Sequence, residues 1–248
     1  MPDEPTADQF VAKFLTLVPE ENRALAERNA LVRRDEGDED IWAGARMGKM
    51  FALAKEFVDL PPAEIERLLE STVHDLRIGA VSVMGHQAVR KRTTDERRRE
   101  LYELYLRRTD RINDWGLVDV SAHKVVGGYL VDRPRDVLYE LARSPHFYER
   151  RIAMFATIPF IARGDLDDTY RIAEILVHDD EHFVNTVVGS TLREAGKRDR
   201  ARLVEFLERH AETMPRVTLR FAIEHMDAAQ RKDLMGRAKL AKQRKAAT

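Results

Sequence analysis

Apolar residues recur at the helical period along nearly the whole chain, in stretches of about 12 to 18 residues separated by short polar breaks. Only 12 Gly and 9 Pro interrupt 248 residues, and alternating Val/Ile/Thr runs are almost absent, which leaves strands nowhere to form. Such a pattern predicts an all-α protein of about fourteen helices, or six to seven antiparallel pairs stacked on one another.

The punctuation gives the order of elements. Phe10, Phe14, Leu15 and Val18 mark a first helix; Leu25, Leu31 and Val32 mark a second; the acidic run from Asp35 to Asp40 reads as a loop. Trp42, Met47, Met50, Phe51, Leu53, Ala54 and Phe57 form an amphipathic stripe that ends before Pro61 and Pro62, and these open the helix of Ile65, Leu68 and Leu69. A helix is expected from His74 to Arg90, followed by one carrying Leu101, Leu104, Tyr105 and Leu106 that Thr93 and Glu96 would cap. After the stretch from Ile112 to Pro134, a helix bearing Val137, Leu138 and Leu141 follows, and Ser144-Pro145 opens a long apolar helix running through Ile161. Gly164 would stop it and Asp165 with Asp168 cap its successor, while Gly196, Met214-Pro215 and Asp227 with Gln230 divide the remainder. Residues 1–240 are expected to form one repeat domain, with an unstructured basic tail at 241–248.

Cysteine is absent, so there is no disulfide framework, thiolate metal site or cysteine nucleophile. No stretch approaches the roughly 18 apolar residues of a membrane span, and the N-terminus lacks a signal-like apolar run, so a cytoplasmic protein is expected. The net charge of −1 hides an asymmetry: residues 1–70 sum to −7, leaving +6 beyond them. The basic clusters are Arg90-Lys91-Arg92, Arg97-Arg98-Arg99, Arg107-Arg108, Arg150-Arg151 and Lys197-Arg198. A curved stack of helix pairs offers a long concave surface suited to something extended, and the Arg clusters favour a nucleic-acid duplex over a polypeptide.

The most constrained stretch is I-N-D-W-G-L-V-D-V-S-A-H-K-V-V-G-G-Y-L-V-D-R-P at 112–134. On a helix, Trp115 and Asp119 stand four residues apart and share a face. Spacing alone leaves two readings open: a boundary Trp beside an Asp that only caps or pairs with His123, or an indole and a carboxylate arranged for chemistry. Ser121, His123 and Asp119 supply the letters of a hydrolytic triad, but their spacing on one helix does not bring them together. His74, His86, His123, His178 and His182 fall in no recognisable metal pattern.

W-G-L-V-D at 115–119, followed by S-A-H at 121–123 and Gly127, resembles the N-W-D-L-V-D-x-S-A motif of the AlkD-like DNA alkylation-repair family, built of HEAT-like repeats. Three more stretches agree in order: G-D-E-D-I-W-A-G-A-R at 37–46 with L-A-K-E-F at 53–57; Y-E-R-R-I-A at 148–153; and G-S-T-L-R-E-A-G-K-R-D at 189–199 with M-P-R-V-T-L-R-F-A-I-E at 214–224. The resemblance implies a HEAT-like repeat solenoid, an α-α superhelix of about six helix pairs with a concave basic face that cradles DNA. In active members it implies a glycosylase removing N3- and N7-alkylated purines, without metal or organic cofactor.

Family roles then fall on Trp115 and Asp119, and on Arg151 as the backbone grip near the lesion. Sequence-independent phosphate contacts would come from Arg90, Lys91, Arg92, Arg150, Arg193, Lys197, Arg198 and Arg216. The expected partner is lesion-containing duplex DNA, bound by a monomer associated with the nucleoid. Two positions depart from the pattern. Gly189-Ser190 stands where active members carry G-W, so one aromatic wall of the cleft is missing, with Phe183 or Phe221 as candidates to replace it; Gly48 stands where Pro is usual. The departure at Ser190 admits two alternatives, a DNA-binding relative that has lost excision and a protein-interaction scaffold.

Overall fold

In the computed structural model the described residues are 4–35 and 39–246, with side chains described as far as Arg237. Every regular element among them is helical, and extended pairing is confined to isolated bridges, Arg33 with Ser71 and Ile41 with Val73. The all-α architecture of packed helix pairs expected from the hydrophobic period is the observed one. The contacts gather into two compact units, Met1–Tyr129 and Leu130–Thr248.

The first unit holds α1 (Ala7–Leu15), α2 (Glu20–Asn29), α3 (Met47–Glu56), α4 (Pro62–Leu69), α5 (His74–Val89), α6 (Asp95–Arg107) and α7 (Trp115–Ala122). Helix α5 is its axis. Leu76, Ile78, Ala80, Val81, Val83 and Met84 make it apolar on every side, so it can rest only in the interior, and α3, α4 and α7 pack around it. Arg77 is fully buried on this helix. Its guanidinium donates to Asp40 Oδ2 at 2.7 Å and to the Ser71 carbonyl at 2.9 Å, which fastens the segment before α3 onto the start of α5. Burial works to raise the Asp40 carboxyl, but Arg77 and Arg34 outweigh it and hold it below the usual carboxylate range.

Several local expectations need correction. Leu25, Leu31 and Val32 are exposed, and α2 ends before the last two, because the chain there turns extended to pair with residues 71 and 72: Thr72 N–H donates to the Val32 carbonyl at 3.1 Å. Trp42 is not on the α3 stripe; it precedes the helix in an extended segment. The cap of α6 is Thr94, whose hydroxyl accepts from Arg97 N–H at 3.1 Å, one residue later than expected. Of the acidic loop, residues 36–38 lie outside the described residues. The focal stretch is helical but not uniformly so: a π-turn at His123–Gly127 follows α7 and leads into α8 (Gly128–Leu130).

The second unit holds α9 (Asp136–Leu141), α10 (Phe147–Phe155), α11 (Ile158–Ala162), α12 (Asp167–Leu176), α13 (His182–Gly196), α14 (Arg200–His210), α15 (Arg216–Ala222) and α16 (Ala228–Ala246). Here α13 is central, packed by α10, α12, α14 and α15. The long apolar helix expected from Ser144 to Ile161 is two: Pro159 cannot donate into the preceding turn, so α10 ends at Phe155 and α11 restarts with Pro159 in its first turn. Asp165 and Asp168 do not cap α12, which starts after Leu166 without a side-chain cap. Both carboxylates go instead to Arg135, at 2.7 and 2.6 Å, whose guanidinium lies over the Phe160 ring. A charge-assisted bond outbids a backbone N–H there. Gly164 at φ +78° does end α11, and Asp227 does cap the last helix, accepting from Gln230 N–H at 2.9 Å. The backbone of α16 is helical through Ala246, so 241–246 are helical, while residues 247 and 248 lie outside the described residues.

Candidate nucleic-acid interface

In the first unit, α7 starts where it does because Asp114 caps it, with Oδ1 accepting from Gly116 N–H at 2.7 Å. A Cβ at position 116 would stand 2.9 Å from that oxygen, so glycine after the Trp is what lets the cap close. Burial works to raise the Asp114 carboxyl, yet His74 and the Gly116 and Leu117 N–H groups hold it below the usual range. The cap puts Trp115 at the first helical position, where its ring is 50% exposed, while Leu117 and Val118 are buried toward the core. Asp119, one turn on, is partly buried.

Behind α7 lies Tyr105 of α6, fully buried, with its hydroxyl 3.1 Å from Ser121 Oγ in a hydrogen bond. Burial pushes the phenol above its ordinary value, and the nearby Asp119 charge adds to the effect. Beyond Asp119 the π-turn carries His123 and Lys124. Burial, with Lys124 beside it, pushes the His123 imidazole down to about 4, so it is neutral at physiological pH. Lys124 is itself lowered by burial. π-turns concentrate at functional sites and no feature of a 3.6-residue period announces one; the Gly127-Gly128 pair is the nearest thing to a signal in the sequence.

The contact that sequence reading missed here is His74. It is buried, its Nε2 is 3.4 Å from Asp114 Oδ1, and its ring stacks on Trp42 with centroids 3.8 Å apart and planes at 25°. Trp42 is 62% exposed.

In the second unit, Arg151 sits in α10 and is buried, donating to the Phe183 carbonyl and to Thr186 Oγ1 at the start of α13. Phe147, Tyr148 and Phe183 stack beside it, with Phe183 exposed. Arg150, its neighbour, is absorbed structurally: it grips both Asp179 oxygens at 2.6 and 3.1 Å and donates to the Ser144 and Pro145 carbonyls. Ser190 is partly buried and bonds back to the Val187 carbonyl at 3.1 Å. Gly189 beside it is where α13 and α15 touch, a Cβ there falling 2.5 Å from the Thr218 carbonyl oxygen and 2.7 Å from Phe221 Cβ. Phe221 meets that contact through its Cβ and is half-buried, and Phe183 stands exposed.

The remaining expected phosphate contacts divide in two. Arg90 and Arg92 pair with Asp59, Arg193 with Glu224 and Glu194, and Lys197 with Glu194. Lys91, Arg198 and Arg216 are exposed with no ion pair among the described residues. Of these pairs, those with Asp59 draw on the acidic first seventy residues, whereas Glu194 and Glu224 come from the same half of the chain as the cations they hold.

These features define a helical-repeat protein whose candidate chemistry lies on an exposed helix face, not on catalytic loops. The chain belongs to the DNA alkylation repair enzyme family, whose model matches residues 12–226. It is similar in fold to a predicted DNA alkylation repair enzyme from Enterococcus faecalis, at 14% identity and a TM-score of 0.60, over 92% of this chain and 100% of that one. Among curated proteins none matches. No helix among the described residues is long and apolar enough to cross a membrane.

Proposed function

We propose that this member of the family is a DNA glycosylase that excises cationic N3- and N7-alkylated purines from duplex DNA. The observation that carries the reading is α7: a half-exposed indole at its first position and a partly buried carboxylate one turn along, both fixed by the Asp114 cap. Alkylation at N3 or N7 gives the purine a positive charge, so it leaves without protonation. The bond from the sugar C1′ to the base nitrogen breaks with its electron pair going to the base, which becomes neutral. Positive charge then develops on the sugar, where the Asp119 carboxylate stabilises it and orients a water. The water oxygen bonds to C1′ and its proton passes to solvent, leaving free alkylpurine and an abasic site.

Trp115 presents its ring face to the cationic sugar or base, worth about 0.5–2 kcal/mol depending on desolvation. Arg151 would hold a phosphate by charge-assisted bonds, its position set by the start of α13. Lys91, Arg198 and Arg216 supply phosphate contacts directly. Arg90, Arg92, Arg150, Arg193 and Lys197 would first have to leave an internal carboxylate, so their contribution is smaller. The chemistry calls for no metal or organic cofactor.

The test is release of free methylated base from methylated duplex DNA in the presence of a chelator, with abasic sites counted in parallel. Equal amounts of free base and abasic site support excision. Salt-sensitive duplex binding without release would give the reading that Ser190 favours, a non-excising DNA binder, since that position offers no aromatic ring. A chain that binds no DNA would be a protein-interaction scaffold.

A further inference from the structure

The chain contains two tryptophans, and both stand exposed in the first unit. We infer that Trp42 is a second DNA-contacting aromatic, a platform on which a nucleobase of the bound DNA stacks, flanked by Arg46 and Lys49 as phosphate contacts. The inference rests on the reading of the chain as a DNA-binding repair enzyme and adds a site to it.

Trp42 is the most exposed large apolar side chain among the described residues, at 62%. Its exposure is not that of a loose loop. On one side, Ile41 N–H donates to the Thr72 carbonyl at 3.0 Å and His74 N–H to the Ile41 carbonyl at 2.9 Å. On the other, the buried Asp75 carboxylate accepts from Ala43 N–H and Ala45 N–H, both at 2.9 Å, around a turn in which Gly44 takes φ +82°. Asp40, two residues before the ring, is locked to Arg77. The backbone is clamped on both sides, and within the clamped segment the Trp42 side chain is the one aromatic, held outward.

The ring is also backed. Buried His74 lies flat against it, centroids 3.8 Å apart, and His74 Nε2 in turn faces Asp114, the residue that caps the helix of Trp115. Two contacts therefore run from the Trp42 ring to the residue that caps the helix of Trp115. A clamped, backed and exposed indole is what stacking on a base requires, because the cost of ordering it is already met in the free protein. After the ring in sequence, Arg46 and Lys49, on the same segment and on α3, are both exposed with no ion pair among the described residues and can meet phosphates, whereas exposed Glu39 before the ring opposes them. The aromatic that the family pattern places at position 190 is absent, which leaves such a platform unfilled elsewhere in the chain.

Having two tryptophans makes the test direct. In the Trp115→Phe variant every tryptophan photon comes from Trp42. Titration with duplex DNA carrying a tetrahydrofuran abasic analogue, with binding followed independently by anisotropy of labelled DNA, should quench that emission in step with occupancy. Trp42→Leu should weaken binding roughly five- to hundred-fold, and Trp42→Phe should recover most of the loss because it keeps a stacking face. Arg46→Gln with Lys49→Gln should flatten the salt dependence of binding. Trp42 emission unchanged at saturating DNA, or Trp42→Leu binding as the parent does, would overturn the inference while leaving DNA binding itself intact. A parent chain that binds no DNA by anisotropy would overturn both this inference and the reading beneath it.

Discussion

Replacing Asp40 by Ala exposes how the first unit is held together. The substitution leaves the fully buried Arg77 guanidinium bonded to the Ser71 carbonyl at 2.9 Å with its carboxylate partner gone, and releases Arg34, which sits 2.9 Å from the same carboxylate. Breaking one partner of a buried pair costs about 3–5 kcal/mol. The surviving Ser71 bond and the partial access of Arg34 to water place this case at the lower end, about 3 kcal/mol, or a fall in Tm of about 6–12 °C for a chain of this size. Thermal and urea denaturation followed by far-UV circular dichroism measures it. The double variant Arg77→Met, Asp40→Ala should recover most of the loss, since no charge is then stranded. The sign with pH is also fixed. Asp40 is depressed in the folded state, so its contribution is complete above the unfolded carboxylate pKa and is lost as pH falls through the lower folded value; the gap between parent and variant should be constant near neutrality and close in acid. A single variant within about 0.5 kcal/mol of the parent, or a double variant no better than the sum of the singles, would refute the argument.

Three further outcomes follow from the same geometry. Gly189→Ala forces a methyl against the Thr218 carbonyl oxygen at 2.5 Å, so an overpacking cost of about 1–3 kcal/mol should exceed the helix-propensity gain of about 1, and the thermal midpoint should fall. In DNA titrations across salt, removing Lys91, Arg198 and Arg216 should each reduce the salt slope by about 0.9, whereas removing Arg90 or Arg150 should change it less. Burial holds His123 at about 4, below its ordinary 6.5, so the unfolded chain binds its proton first; stability from this group is full above the unfolded value and declines as pH drops toward 4, a decline that His123→Gln should remove when acid denaturation is measured.

The helical architecture was legible because burying one side of a helix imposes a period on the sequence, and most breaks were legible because Pro62, Gly164 and Asp227 act locally. What escaped depends on partners distant in sequence. Trp42 satisfies the spacing of the α3 stripe and cannot be told from it until the pairing of residues 41 and 73 shows that the chain is extended there. Asp165 and Asp168 have the form of a cap, but Arg135, thirty residues earlier, claims them. Arg90, Arg150 and Arg193 read as a basic surface until Asp59, Asp179 and Glu224 are brought to them by the fold. The candidate site divides likewise. Trp115 and Asp119 follow from spacing and resemblance, whereas His74, which links Asp114 to Trp42, has no local signature.

The central claim is that the Asp119 carboxylate performs the excision. Single-turnover release of N7-methylguanine from methylated duplex by the parent chain and by Asp119→Asn tests it most directly, with duplex affinity measured on the same samples. Asp119→Asn should lose release by about 10²–10³-fold with binding retained, because only the transition-state charge is left unopposed. Release at the parent rate by Asp119→Asn would contradict it.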